Sequence, residues 1–361
     1  MKNLFVLLIT AIISVLSLGN LYANSCLGHN TIAIYCIWKM SHDNSFMPSI
    51  QGNDRYDLTH PNILTCSEWN DLSDAQKAFL QGANFPDCPT FMIASHNEAP
   101  MEILSAMYTL KDYCPPYYKN KSENVKAFIC RMQRFMTWGS KLHIEMDKIT
   151  HAKLPYAKYN LKDHVWIEDS WDELLFKDIL HNYMMISDQR IIDRLNKLAK
   201  DGVFGTGFNS RNYHYNNESL DLRDKYVDFI LSFYKNKYQI LKQAASSYRM
   251  SIAALRGKVN EFRNKALPDG YQYPGDLASQ MINLANTIDV TREPTQSEIN
   301  NQYDIDLPKS MQTGSFRIGT TPLGQSMLQK VNEYKSNPQS SPDKLQQIEN
   351  KIKNRFHRIF N

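Results

Sequence analysis

Apolar residues recur along this chain at helical spacing, and few stretches alternate as a half-buried strand does. The pattern predicts helices over residues 31–40, 73–80, 101–110 and 123 to about 151, then over about 170–185, 188–200 and 220–267. The fourth is the best marked. Ser122-Glu123 opens it, Pro155 lies shortly beyond its end, and one stripe carries Val125, Phe128, Ile129, Met132, Phe135, Met136, Leu142, Met146 and Ile149. His143 and Asp147 fall beside that stripe, where a packed neighbour would shield them. The run "DGVFGTGFNSRNYHYNNES" from Asp201 reads as a Gly- and Asn-rich loop. Its glycines do not make a phosphate loop, because no GK[ST] follows and no strand clearly precedes. After Pro268 the composition shifts to "PDGYQYPGD" and later "SNPQSSPD". The expectation is an all-α protein: a helical domain over 24–267 and a C-terminal helical appendage over 268–361. The last amphipathic stretch, "KLQQIENKIKNRFHRIF", reads as a helix docked on the protein's own surface.

Composition narrows the class. The chain has 361 residues, 42% hydrophobic and 11% aromatic, enough for a large packed core and unlike a disordered segment. Lys2 followed by an apolar run from Leu4 to Leu18 and then Leu21-Tyr22-Ala23 reads as an export signal over 1–23. No later segment is apolar enough to span a membrane, so a secreted or periplasmic protein is expected. Loss of Lys2 leaves 40 basic against 37 acidic residues, too mild an excess to argue for a stable nucleic-acid partner. Six cysteines, Cys26, Cys36, Cys66, Cys88, Cys114 and Cys130, lie in the first part of the mature chain. An even number in an exported protein suggests disulfides, with pairing in sequence order the simplest of fifteen arrangements.

Candidate chemistry centres on "KLHIEMDKITHAKLP", where His143, Asp147 and His151 are each four residues apart. Neighbours at that spacing on a helix can grip one ion. Eight residues of helix rise about 12 Å, however, so His143 and His151 cannot share an ion on a regular helix. A second helical pair, His164 and Glu168, stands in "HVWIE"; "ASHNEAP" offers His96, "SEWND" offers Asp71, and His29 follows the signal in "LGHNTIA". Each alone has a bland explanation. A lone His-x-x-x-Asp is commonly a surface pair, and His29 or His96 could be a cap or a loop residue.

Taken together and in order, "LGHNTIA", "WND", "SH", "LHIEMDKITHA" and "HVWIE" resemble the zinc-dependent phospholipase C superfamily, which also contains the fungal zinc-dependent single-strand nucleases. The resemblance covers about residues 24–180. It implies an all-helical domain with three zinc ions, the mature N-terminus supplying its own amine and carbonyl. Carried over, Asp71, His96, His143 and Asp147 would hold one zinc, and His151, His164 and Glu168 a second. Asn24 and His29 would hold the third, with Asp147 bridging. Asn24 stands where the family usually has Trp, and neither the cysteines nor residues 268–361 are explained by the resemblance. The implied activity is phosphodiester hydrolysis, with Asp71 as the candidate group for orienting or deprotonating the attacking water. Glu168, where the nucleases tend to carry Asp, favours the phospholipase branch and a phospholipid or membrane surface as substrate. A nuclease or nucleotidase on the same scaffold, and a non-enzymatic exported helical protein of the envelope or a secretion apparatus, are the alternatives.

Overall fold

A computed structural model of the chain describes residues 25–86, 100–154, 161–204, 212–233, 267, 270–300 and 322–338. The fold is all-α, with one two-stranded ribbon. Its helices are α1 (Ser25–His42), α2 (Gly52–Thr59), α3 (Asp74–Gly82), α4 (Pro100–Leu110), α5 (Glu123–Lys153), α6 (Leu161–Asp178), α7 (Gln189–Phe204), α8 (Leu222–Ser232), α9 (Leu277–Thr287), α10 (Gln296–Asn300) and α11 (Pro322–Ser336). None of the described helices is long and apolar enough to cross a membrane.

The long α5 organises the rest. Ser122 caps its start by accepting the N–H of Val125, and His151 and Lys153 complement the dipole in its last turn. Of the expected stripe, Val125, Ile129, Met132, Phe135, Met136, Leu142 and Met146 are buried, and Phe128 and Ile149 are half-buried against the same core. Alongside runs a second, polar line: Gln133, Thr137, Ser140, Lys141, His143, Asp147 and His151 are also buried. Such a line needs partners at every step, because an unmet buried polar group costs about 1–3 kcal/mol.

The most extensive helix pairing is α3 on α5. The capping box of Ser73 with Gln76 starts α3, and Gln76 Nε2 also donates to the carbonyls of Leu58 and Pro61. Where the two helices cross, Gly82 faces Gly139. A Cβ on Gly139 would lie 2.1 Å from the Phe79 carbonyl oxygen, and one on Gly82 would lie 2.1 Å from that of Met136. The absence of both side chains lets the backbones touch, and Ser140 Oγ donates to Gly82 O at 3.0 Å across the contact.

Several expectations change. The first helix begins at Ser25, so His29 lies inside it and not before it. The loop read from Asp201 contains the ribbon: β1 (Asn212–Tyr215) pairs antiparallel with β2 (Glu218–Asp221), with Tyr213 opposite Leu220. Asn216 and Asn217 both take positive φ, 47° and 62°, the backbone that a tight two-residue hairpin turn requires. The helix read over 220–267 starts at Leu222 and its described part ends at Ser232; residues 234–266 and the amphipathic stretch near the C-terminus lie outside the described residues.

Disulfides are also corrected. Cys36, Cys66, Cys114 and Cys130 are free thiols, and Cys88 lies outside the described residues. Pairing in sequence order would join Cys26 to Cys36, but both belong to α1. Ten residues of helix separate them by about 15 Å, while bridged Cα atoms stand no more than about 7 Å apart. Burial raises the Cys66 thiol to about 11 and the Cys114 thiol to about 12.

The composition change at residue 268 does not coincide with a break in packing among the described residues. Leu277, Met281 and Ala285 of α9 and Met327 and Val331 of α11 belong to the same buried cluster as α5. Lys141 ties this segment down: its Nζ donates to the carbonyls of Asp289 at 2.9 Å and Arg292 at 3.1 Å, with the Tyr108 ring 5.7 Å away. Lys141→Ala is therefore expected to cost about 2–4 kcal/mol, through a cavity and two carbonyls that lose their donor, as measured by urea unfolding. Burial, with Arg292 next in weight, pulls its ammonium down to about 8. Between that value and about 10.4 the unfolded chain binds the extra proton, so the wild type should gain on the alanine variant as pH rises through this window.

Candidate metal centre

His143 and Asp147 stand one turn apart on α5, and α1 crosses to bring His29 against both. Asp147 Oδ2 lies 3.0 Å from His143 Nε2, and Oδ1 lies 3.2 Å from His29 Nε2. The two imidazole rings stack with centroids 3.6 Å apart and planes 20° from parallel. All three residues are buried, at 0% exposure for His143, 3% for Asp147 and 6% for His29, and their ligand atoms lie within 4.8 Å of one another.

The imidazole of His143 has a defined orientation. Its Nδ1 donates to the carbonyl of Ala83 at 2.7 Å, just past the end of α3. A neutral ring therefore turns a bare Nε2 lone pair toward a carboxylate oxygen. That contact needs a positive centre. Either a second proton makes a buried imidazolium beside the stacked His29, or a cation meets the same lone pairs. A ring N–H given to a backbone carbonyl, which fixes the tautomer and leaves the other nitrogen as the acceptor, is the usual outer-shell arrangement of a metal-bound histidine. The donor separations of 3.0 and 3.2 Å also match the edge of a tetrahedron built on metal bonds of about 2.0 Å, roughly 3.3 Å. The residues present could hold a metal ion by donor chemistry and by spacing.

Burial acts most strongly on Asp147 and pushes its carboxyl up. The charges of His143 and His29 and their hydrogen bonds outweigh it, and the carboxyl is held well below the ordinary carboxylate range. It stays ionised at neutral pH. The imidazoles of His29 and His143 address different oxygens of Asp147.

The remaining expected ligands divide. His151 is buried one turn further along α5, its Nε2 3.8 Å from Asp147 Oδ1, and Glu168 is buried on α6. Neither joins the set whose ligand atoms lie within 4.8 Å of one another. Helix α6 contains His164, whose side chain lies outside the described set, as do Asn24 and His96 altogether. Asp71 is exposed, and the structure does not bring it to the cluster. Its Oδ2 accepts the N–H of Ser67 at 2.8 Å, the N–H of Glu68 at 2.9 Å and the Ser67 hydroxyl at 2.9 Å. Those bonds, the two backbone ones first, lower its pKa and make it a turn cap. Its short sequence, "SEWND", folds back on itself because Glu68 and Asp71 complete a local capping box. The carboxylates of Asp54 and Asp57 are paired with Arg131 and Arg134.

Sequence reasoning missed the Ala83 carbonyl, which no side-chain pattern marks. It also missed the glycines that bring that carbonyl within reach. The fold and the cluster together define an all-α protein with a buried centre of two histidines and one aspartate. Comparison with protein-family models, with curated proteins and with solved structures returns no match.

Proposed function

We propose that this protein is an exported zinc-dependent phosphodiester hydrolase that acts on phosphatidylcholine-like lipids as a phospholipase C. One observation carries the reading: His29, His143 and Asp147, picked out by the order of the motifs, meet around a single buried carboxylate. His29, His143 and Asp147 would hold metal, with His151 one turn away. A zinc ion held there would supply Lewis acidity toward a phosphoryl oxygen and would lower the pKa of water from 15.7 toward about 7. The Ala83 carbonyl keeps the proton of His143 on Nδ1 and turns Nε2 toward Asp147. Asp147 balances positive charge in a site that excludes bulk water. The export part of the proposal rests on residues 1–23.

The test is metal content and turnover of the full-length processed protein. About one or more equivalents of zinc, diacylglycerol released from phosphatidylcholine vesicles, loss on chelation and return on adding zinc are expected. Nucleotide release from single-stranded DNA with no diacylglycerol would move the same centre to the nuclease alternative. A purified protein that neither carries nor takes up zinc would overturn the enzyme reading altogether.

A further inference from the structure

Resting on that reading of the metal centre, we infer that Asp172 is a positioning residue: it anchors the turn of α1 that presents His29 to Asp147. Gly28, in the first turn of α1, donates its N–H to Asp172 Oδ2 of α6 at 2.9 Å, a buried contact between residues 144 positions apart. The neighbouring residue is His29. A carboxylate at this helix end is also favoured by the helix dipole.

The fit is close. A Cβ on Gly28 would come within 2.3 Å of Asp172 Oδ1, so a side chain at this position would push the carboxylate away. Asp172 is 8% exposed and stands four residues beyond Glu168 on α6, on the same buried side. On the other side of His29, Asn30 Nδ2 donates to the Ala199 carbonyl at 2.7 Å, and Asn30 Oδ1 accepts from Asn84 Nδ2 at 2.7 Å. His29 is thus bracketed. Gly28 holds the chain to α6, and Asn30 holds it to α7 and to the end of α3. Only the first bracket depends on a charged side chain.

The experiment uses the full processed protein, with Asp172→Ala, Asp172→Asn and Gly28→Ala beside wild type. Zinc affinity, the visible spectrum of the cobalt-substituted protein and urea unfolding of the metal-free protein are measured on each. Outer-shell partners of metal ligands are commonly worth 10- to 100-fold in affinity. Asp172→Ala and Gly28→Ala should each lose about that factor and shift the cobalt bands. Asp172→Asn, which keeps an acceptor oxygen, should recover most of the affinity and the wild-type spectrum. If Asp172→Ala does not fold, Gly28→Ala and Asp172→Asn carry the same comparison. Wild-type affinity and spectrum in Asp172→Ala, or in both remaining variants, overturn the positioning role while leaving the metal centre in place. A wild type that binds neither zinc nor cobalt overturns the metal reading itself, and the positioning role falls with it.

Discussion

Gly139→Ala is expected to destabilise the protein by about 3 kcal/mol, the upper end of overpacking costs, and to weaken metal binding with it. The new methyl would meet the Phe79 carbonyl oxygen at 2.1 Å and the Ala83 nitrogen at 2.6 Å. Both are backbone atoms, so no side chain can swing away. Helix α3 must move off α5, and the Ala83 carbonyl moves with it, away from the Nδ1 of His143 that it orients at 2.7 Å. Stability and site are thus coupled through one contact. Urea unfolding and zinc titration of the same preparation check both halves. Gly275→Ala, where a Cβ would meet nothing within 4 Å, serves as the control and should be silent. A Gly139→Ala protein of wild-type stability would mean that the two helices do not cross this closely.

The second large effect is expected at Asp147. Asp147→Asn keeps the shape of the side chain and removes its charge, so His29 and His143 lose the anion that both address. Zinc affinity should fall by at least about 100-fold, more than second-sphere changes cost, because a ligand and a compensating charge disappear together. An alternative assigns the cluster only a structural role, as a buried ion pair of imidazolium and carboxylate. In that case the same substitution should cost about 3–5 kcal/mol of stability, as breaking a buried pair does, and leave a metal content that is zero before and after. Calorimetry with metal analysis on wild type and variant separates the two. Loss of zinc with the metal-free fold retained supports the centre.

Particular residues show how far the chain could be read. The stripe of α5 and its start at Ser122 were legible because both depend on local spacing, and the stripe packs as that spacing required. The pairing of His143 with Asp147 was legible for the same reason: four residues on a helix place two side chains on one face. Asp71 misled because the same local rule was at work elsewhere, with Glu68 and Asp71 closing their own turn. The hairpin at Asn216-Asn217 is hidden in the sequence because the glycines upstream give the whole stretch the composition of a loop. Cysteine number suggested bridges that helix geometry forbids for Cys26 and Cys36 in α1.

By itself the sequence determined the helical class, the core face of α5 and the His143–Asp147 pair, since each follows from repeats shorter than about two helical turns. Only the tertiary structure decided that Gly82 and Gly139 meet and that the Ala83 carbonyl orients His143. It also decided that Asp172 anchors the turn carrying His29 and that Asp71 stands apart. Those outcomes depend on how whole helices pack, and close packing is settled by the shapes of surfaces far apart in the chain.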